Sequence, residues 1–159
     1  MPAQNSRDFD FLFGSWSVRH RRLKERLSNC SDWQEFGGTS VTRPILNGSS
    51  NIEDNFIDLP EGAYRAAALR SFDAKSGNWA IWWLDERNPH GLDIPVIGAF
   101  KDGIGSFYAQ DSLRGIPIKV RFVWSRIEAL SCQWEQAFSD DEGRSWEINW
   151  TMQFTRTPA

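Results

Sequence analysis

Large apolar residues recur at every second position along much of this chain, and nine of its 159 residues are tryptophan. In the final run, Trp146, Ile148, Trp150, Met152 and Phe154 share one face. Glu147, Asn149, Thr151, Gln153 and Thr155 share the other. A period of two belongs to a β-strand with one buried face. Indoles are bulky, so this many on inward faces need a roomy enclosure, a barrel or sandwich with aromatic walls.

Strand patterns run at Trp16–Leu27, Gly38–Pro44, Asn51–Leu59, Tyr64–Asp73 and Trp79–Asp85. They continue at Val96–Lys101, Gly105–Asp111, Ile118–Ile127, Ser131–Ser139 and Trp146–Arg156. Turn residues separate them, among them Asn47-Gly48, Ser76-Gly77-Asn78, Asp102-Gly103 and Arg114-Gly115. Only Phe9–Gly14 reads as a short helical turn. The pattern predicts one all-β domain over residues 1–159, an antiparallel up-and-down barrel of about ten strands with a short N-terminal helical segment. A two-sheet sandwich is the alternative. Residues 18–27 carry helix-forming types, but the alternation through Trp16 and Val18 and the hairpin partner at Trp33–Phe36 favour a strand.

Composition narrows the function classes. A net charge of −3 gives no general attraction to nucleic acid or to anionic membranes. The basic run Arg19–Arg26 lacks interleaved aromatics and contains Glu25, so it reads as a solvated strand face. No apolar run reaches membrane-spanning length, and the polar start lacks the apolar core of a secretory signal, so a cytoplasmic location is expected. Cys30 and Cys132 are expected as separate reduced thiols. With His20 and His90 on distant segments, no metal site is expected. No phosphate loop or nucleophile elbow occurs.

Ser139-Asp140-Asp141-Glu142-Gly143-Arg144-Ser145-Trp146 resembles the Asp-box hairpin, in which Asp binds turn amides, Gly takes the positive-φ position and Trp anchors the hairpin in the core; its implied role is structural. Phe72–Trp79 is a looser echo. Gly14-Ser15-Trp16 opening the first strand, with Arg156 on the last, resembles the lipocalin-like (calycin) pattern, where a basic residue crosses the indole that closes one end. The chain as a whole is similar to a bacterial family of uncharacterised lipocalin-like proteins. The likeness rests on Phe9–Trp16, Trp79–Asp85, Phe107–Asp111, Trp134–Phe138, Trp150 and Arg156. That family has no agreed activity, so the likeness implies a fold and assigns no catalytic residue. Nitrobindin-like relatives of this barrel hold haem through a histidine, whereas the C-terminal strands here have none. No cofactor is therefore expected, although His20, the one histidine in a predicted strand, is the position from which haem would have to be held.

Strand parity sends Trp16, Val18, His20 and Arg22 inward. It does the same for Trp79, Ile81, Trp83 and Asp85, for Ile118 to Trp124 on alternate positions, and for Trp134, Gln136 and Phe138. The expected ligand-binding set is His20, Arg22, Trp83, Asp85, Tyr108, Trp124, Trp134 and Gln136, with Arg43 and Arg70 as further candidates. An aromatic cup with a few convergent polar groups suits a small apolar or amphipathic ligand, including one with an anionic end that Arg22 would pair. Two other classes stay open. One is a cofactor-independent lyase or isomerase, with His20 and Asp85 moving protons and Arg22 or Tyr108 steadying negative charge. The other is a homodimer or interaction module using Trp82, which must face away from Trp83.

Overall fold

The computed structural model describes residues 7–158. Its ten strands are β1 (Gly14–Leu23), β2 (Trp33–Ile45), β3 (Ser50–Ile57), β4 (Tyr64–Asp73) and β5 (Asn78–Asp85), then β6 (Val96–Lys101), β7 (Ile104–Leu113), β8 (Ile116–Ser125), β9 (Ser131–Ser139) and β10 (Glu147–Arg156). Each pairs antiparallel with its chain neighbours. β1 also pairs with β10, from Trp16 opposite Arg156 to Arg22 opposite Trp150, so the sheet closes into a barrel. Closure satisfies the edges that an open sheet would leave exposed. The predicted strand count and class hold. The sandwich alternative does not. The first strand stops at Leu23 rather than Leu27, where the chain leaves the sheet and Leu27 and Asn29 take positive φ.

One end of the barrel is plugged by the segment before β1, which includes a single 3₁₀ turn, Asp10–Leu12. Phe9 and Leu12 are buried. The Phe9 ring meets Trp79 and Phe100 edge-on at 4.9 Å, a favoured arrangement for aromatic pairs. Trp16 Nε1 donates to the Leu12 carbonyl at 2.8 Å. The Arg156 guanidinium lies 4.2 Å from the Trp16 ring centre. Its Nη1 and Nη2 donate to the carbonyls of Phe13 and Phe11 at 2.6 and 2.7 Å, and its Nε donates to that of Ala129 at 3.0 Å. One side chain therefore fastens the plug, the last strand and the β8–β9 turn together.

The interior has two unlike halves. On β5 and on β8 to β10, Trp79, Ile81, Trp124, Trp134, Trp150, Met152 and Phe154 are buried, as parity predicts. On β2 to β4 most inward residues are small or polar: Ser40, Thr42, Asn51, Glu53, Asn55, Ala66, Ala68 and Arg70 are all buried, with Phe36, Ile57 and Tyr64 the large exceptions. Gly38 belongs to this half. A Cβ there would collide with the Phe56 carbonyl oxygen, so only glycine permits the close approach of β2 to β3.

The final strand departs from strict alternation. Its register shifts between Ile148 and Trp150, and Asn149 is buried within the irregularity. A β-bulge of this kind reverses which face each residue takes. Trp150, Met152 and Phe154 point inward as expected. Ile148 is instead exposed, and Trp146 packs on the outer wall, 4.5 Å from the Arg121 guanidinium and 6.2 Å from the Tyr108 ring. The Asp-box turn before it has the expected contacts. Asp141 accepts from the Ser145 amide at 2.9 Å, the Ser145 hydroxyl at 2.6 Å and the Ser139 hydroxyl at 2.7 Å. Those bonds, chiefly the ones from Ser145, hold its carboxyl down at about 2.

Two stability tests follow from these contacts. Arg156→Ala is expected to cost roughly 2–4 kcal/mol in urea denaturation, through lost charged hydrogen bonds and the cation over Trp16. Arg156→Lys should recover only part of this, because an ammonium cannot span three carbonyls in one plane. Asp141 is more acidic folded than its ordinary 3.8. Its contribution is therefore present above pH 4 and lost as pH falls from about 4 to about 2. Asp141→Asn should flatten the stability profile in that window and leave the profile above it unchanged.

Candidate functional site

The loop joining β1 and β2 lies across the mouth opposite the plug. Leu27 packs on the aromatic core. Its amide donates to Glu147 Oε1 at 2.9 Å, and Arg114 Nη2 donates to the Arg26 carbonyl at 2.8 Å. The loop is thereby tied to the β9–β10 and β7–β8 hairpins. Burial, followed by the nearby Arg22 charge, lowers the Arg26 pKa. Arg22 reaches inward as predicted. It donates to the Tyr64 hydroxyl at 3.1 Å and lies 4.9 Å from the Trp150 ring centre.

His20 also points inward, and its surroundings define its state. The ring stacks on Phe36 at 4.8 Å, and Nδ1 accepts the Trp150 indole N–H at 3.1 Å. Nε2 then carries the proton, and it lies against Gly38, where a Cβ would approach to 3.2 Å. Burial, reinforced by the Arg22 and Arg19 charges, pushes the imidazole pKa down to about 3. This neutral, enclosed ring has no lone pair free for proton abstraction, and it does not fit haem as an axial ligand. Asp85 stands at the end of β5 and is held by Arg87, with Arg87 Nη2 donating at 2.7 Å and Nε at 3.0 Å. Burial would raise its pKa, but the bonds from the Arg87 side chain and amide outweigh that and lower it. Each of the two proposed proton movers thus has its own partner, on strands that are not neighbours in the barrel.

Among the described residues, two cavities lie between the walls. The upper one, about 80 Å³, is lined by Trp83, Phe122, Gln136 and Phe138 and reaches the surface beside the exposed Asp93, Ile94 and Asp111. The lower one, about 20 Å³, has Glu53, Arg70, Trp124, Trp134 and Met152 in its wall. Ile81, Trp83 and Phe122 border both. Four predicted residues, Trp83, Trp124, Trp134 and Gln136, therefore do line the interior space. Tyr108 does not. It is exposed on the outer wall against Trp146. Arg43 is likewise exposed. Trp82 is half-buried on the outer wall opposite Leu69. Among the described residues, no three of His, Cys, Asp and Glu gather as a metal site would need.

Sequence reasoning missed the acidic groups. Glu53 is buried in an ion pair with Arg70, also accepts from the Ser40 hydroxyl at 2.6 Å, and shares Arg70 with Asn51, whose Oδ1 accepts at 2.9 Å. Asp93, on the β5–β6 loop, has its pKa raised by burial first and then by the Asp111 and Asp85 charges. The β5–β6 loop hid Asp93, because loop geometry has no periodicity to read. In β3 the apolar Ile52 and Phe56 suggested the wrong inner face. Ile57 and Leu59, on the same parity as Glu53, pointed to the true one.

No family model matches this chain, and no curated protein matches it. The class that fold and site define is a closed ten-stranded antiparallel barrel, plugged at one end, with an aromatic interior and a small cavity opening near the other.

The His20 geometry makes a spectroscopic prediction. Its folded pKa of about 3 lies below the ordinary 6.5, so the unfolded chain binds the proton first. The contribution of His20 is complete above pH 6.5 and is lost as pH falls towards 3, an effect of a few kcal/mol. ¹⁵N spectra at pH 5 should show His20 neutral with the proton on Nε2. An imidazolium signal from His20 at that pH would contradict the buried placement.

Proposed function

We propose that this protein is a lipocalin-like binding barrel, akin to the bacterial family its sequence resembles, and that it holds a small amphipathic molecule in the upper cavity. The observation that carries the reading is the pairing of an aromatic wall with carboxylates at the opening. Trp83 and Phe122 give an apolar slot, and Asp93 and Asp111 stand where it meets solvent. Concave apolar sites with a few polar groups at one end are the usual form of ligand pockets. A cavity of about 80 Å³ suits a group no larger than a single ring, with the remainder of the molecule projecting from the mouth.

The charge at the opening favours a cationic outer end. Asp93 feels both Asp111 and Asp85, and a positive group placed there would relieve their repulsion. Arg22, the residue expected to receive an anion, is engaged with Tyr64 and the Trp150 face. Tryptophan fluorescence titrated with benzylamine and with benzoate tests this. Benzylamine should perturb the emission saturably and benzoate should bind more weakly. Asp93→Asn should weaken benzylamine two- to fivefold, the range of a partly exposed ion pair. Emission unchanged by either compound, with Trp83→Phe indistinguishable from wild type, would refute the pocket as a binding site.

A further inference from the structure

The lower cavity is bordered by two buried donors that lack an acceptor among the described residues, and by the Glu53 carboxylate, which is already engaged by Arg70 and Ser40. Arg70 and Trp124 are each only 2% exposed, and both border it. Arg70 satisfies Nη1 on Asn51 and Nη2 on Glu53, yet its Nε–H finds no acceptor among the described residues. The Trp124 indole N–H is likewise buried and without an acceptor among them. The two side chains are in contact range, with the guanidinium carbon 5.3 Å from the Trp124 ring centre. A buried donor left unsatisfied forfeits the hydrogen bond it made to water, so two beside one cavity call for an acceptor. The cavity, about 20 Å³, has room for one oxygen-sized group.

We infer that the lower cavity is the deep subsite of the ligand pocket and takes a neutral carbonyl oxygen of the ligand, bound by the Arg70 Nε–H and the Trp124 indole N–H. The inference rests on the binding function proposed above and specifies the buried end of the ligand. Ile81, Trp83 and Phe122 form the partition between the two cavities. Trp83 and Phe122 are both half-buried, but Phe122 packs on Trp134 at 5.0 Å whereas Trp83 meets Trp150 edge-on at 6.0 Å, so Trp83 is the partition member with more freedom to turn aside. A ligand spanning both spaces has an oxygen acceptor at its inner end, an apolar ring against Trp83 and Phe122, and its outer end by Asp93. Glu53 strengthens the arrangement indirectly. It neutralises Arg70 and fixes the guanidinium through Nη2, which leaves Nε directed elsewhere.

Acetophenone and cumene, equal in heavy-atom count but with and without a carbonyl, are the probes. Titrating each into ¹⁵N-labelled protein, with Trp124→Phe used to assign the Trp124 indole cross-peak, reads the subsite directly. Acetophenone should move that cross-peak downfield and bind about tenfold more tightly than cumene, the expected advantage of hydrogen bonds that include a charged donor. In Trp124→Phe the acetophenone affinity should fall several-fold while that of cumene stays constant. Should that variant fail to fold, sequential assignment of the wild-type protein identifies the cross-peak, and its shift and the ratio of the two probes decide the matter. Equal affinities, or an unmoved Trp124 indole while benzylamine still binds, would overturn the deep subsite and leave the upper pocket standing. Failure of benzylamine as well would remove both.

Discussion

Closure of the sheet is the constraint on which everything else in this molecule depends. Once β1 pairs with β10, every second residue of ten strands must share one enclosed space. Eight strands enclose an interior that ordinary side chains just fill, and ten enclose more. The tryptophan content answers that geometry. Trp16, Trp79, Trp124, Trp134 and Trp150 all sit inside and are nearly inaccessible. They meet one another and the phenylalanines mostly edge-on, as in the 90° contact of Trp134 with Trp150. Among the described residues, this filling leaves two small cavities, of about 80 and 20 Å³, between the walls.

The other half of the interior follows a different logic. A buried Arg70–Glu53 pair is costly to desolvate, and such a pair is retained only with further hydrogen bonds. Ser40 and Asn51 supply them. Phe9 and Trp124 cover the guanidinium at 5.0 and 5.3 Å. The plug therefore rests on a charged group, and its seat is specified by direction as well as by shape. His20 contributes in a related way. Its Nδ1 fixes the orientation of Trp150, which carries that order into the aromatic half.

Most of the architecture was legible in the sequence, because alternation, turn residues and the Gly-x-Trp and Asp-box signatures are local and each has a local physical cause. The inward faces of β1, β5 and β9 and the Trp16–Arg156 contact emerged as expected. The outward turn of Trp146 and Ile148 did not, because one extra residue in a bulge shifts parity without changing composition. Nor did the buried polar half. Glu53 and Asn55 look solvent-facing until their strand is known to cross a closed interior. The candidate site was legible in its aromatic members. Of its charged members Arg70 was already a candidate and does border the interior, whereas Asp93 lies on a loop and Glu53 is placed by partners on other strands.

The wall is not uniformly held. β5 and β6 are joined by only three residue pairs, Trp79–Gly98, Ala80–Ile97 and Ile81–Val96, whereas β7 and β8 share nine. Above Ile81 the β5 backbone is met by the β5–β6 loop, through the Asp93 amide on the Trp83 carbonyl at 3.0 Å. Local opening costs least where a ladder has fewest rungs. This seam therefore parts at a lower free energy than the rest of the barrel, and it borders the upper cavity. The barrel wall is thus weakest beside the upper cavity and strongest where the plug and the β7–β8 ladder hold it.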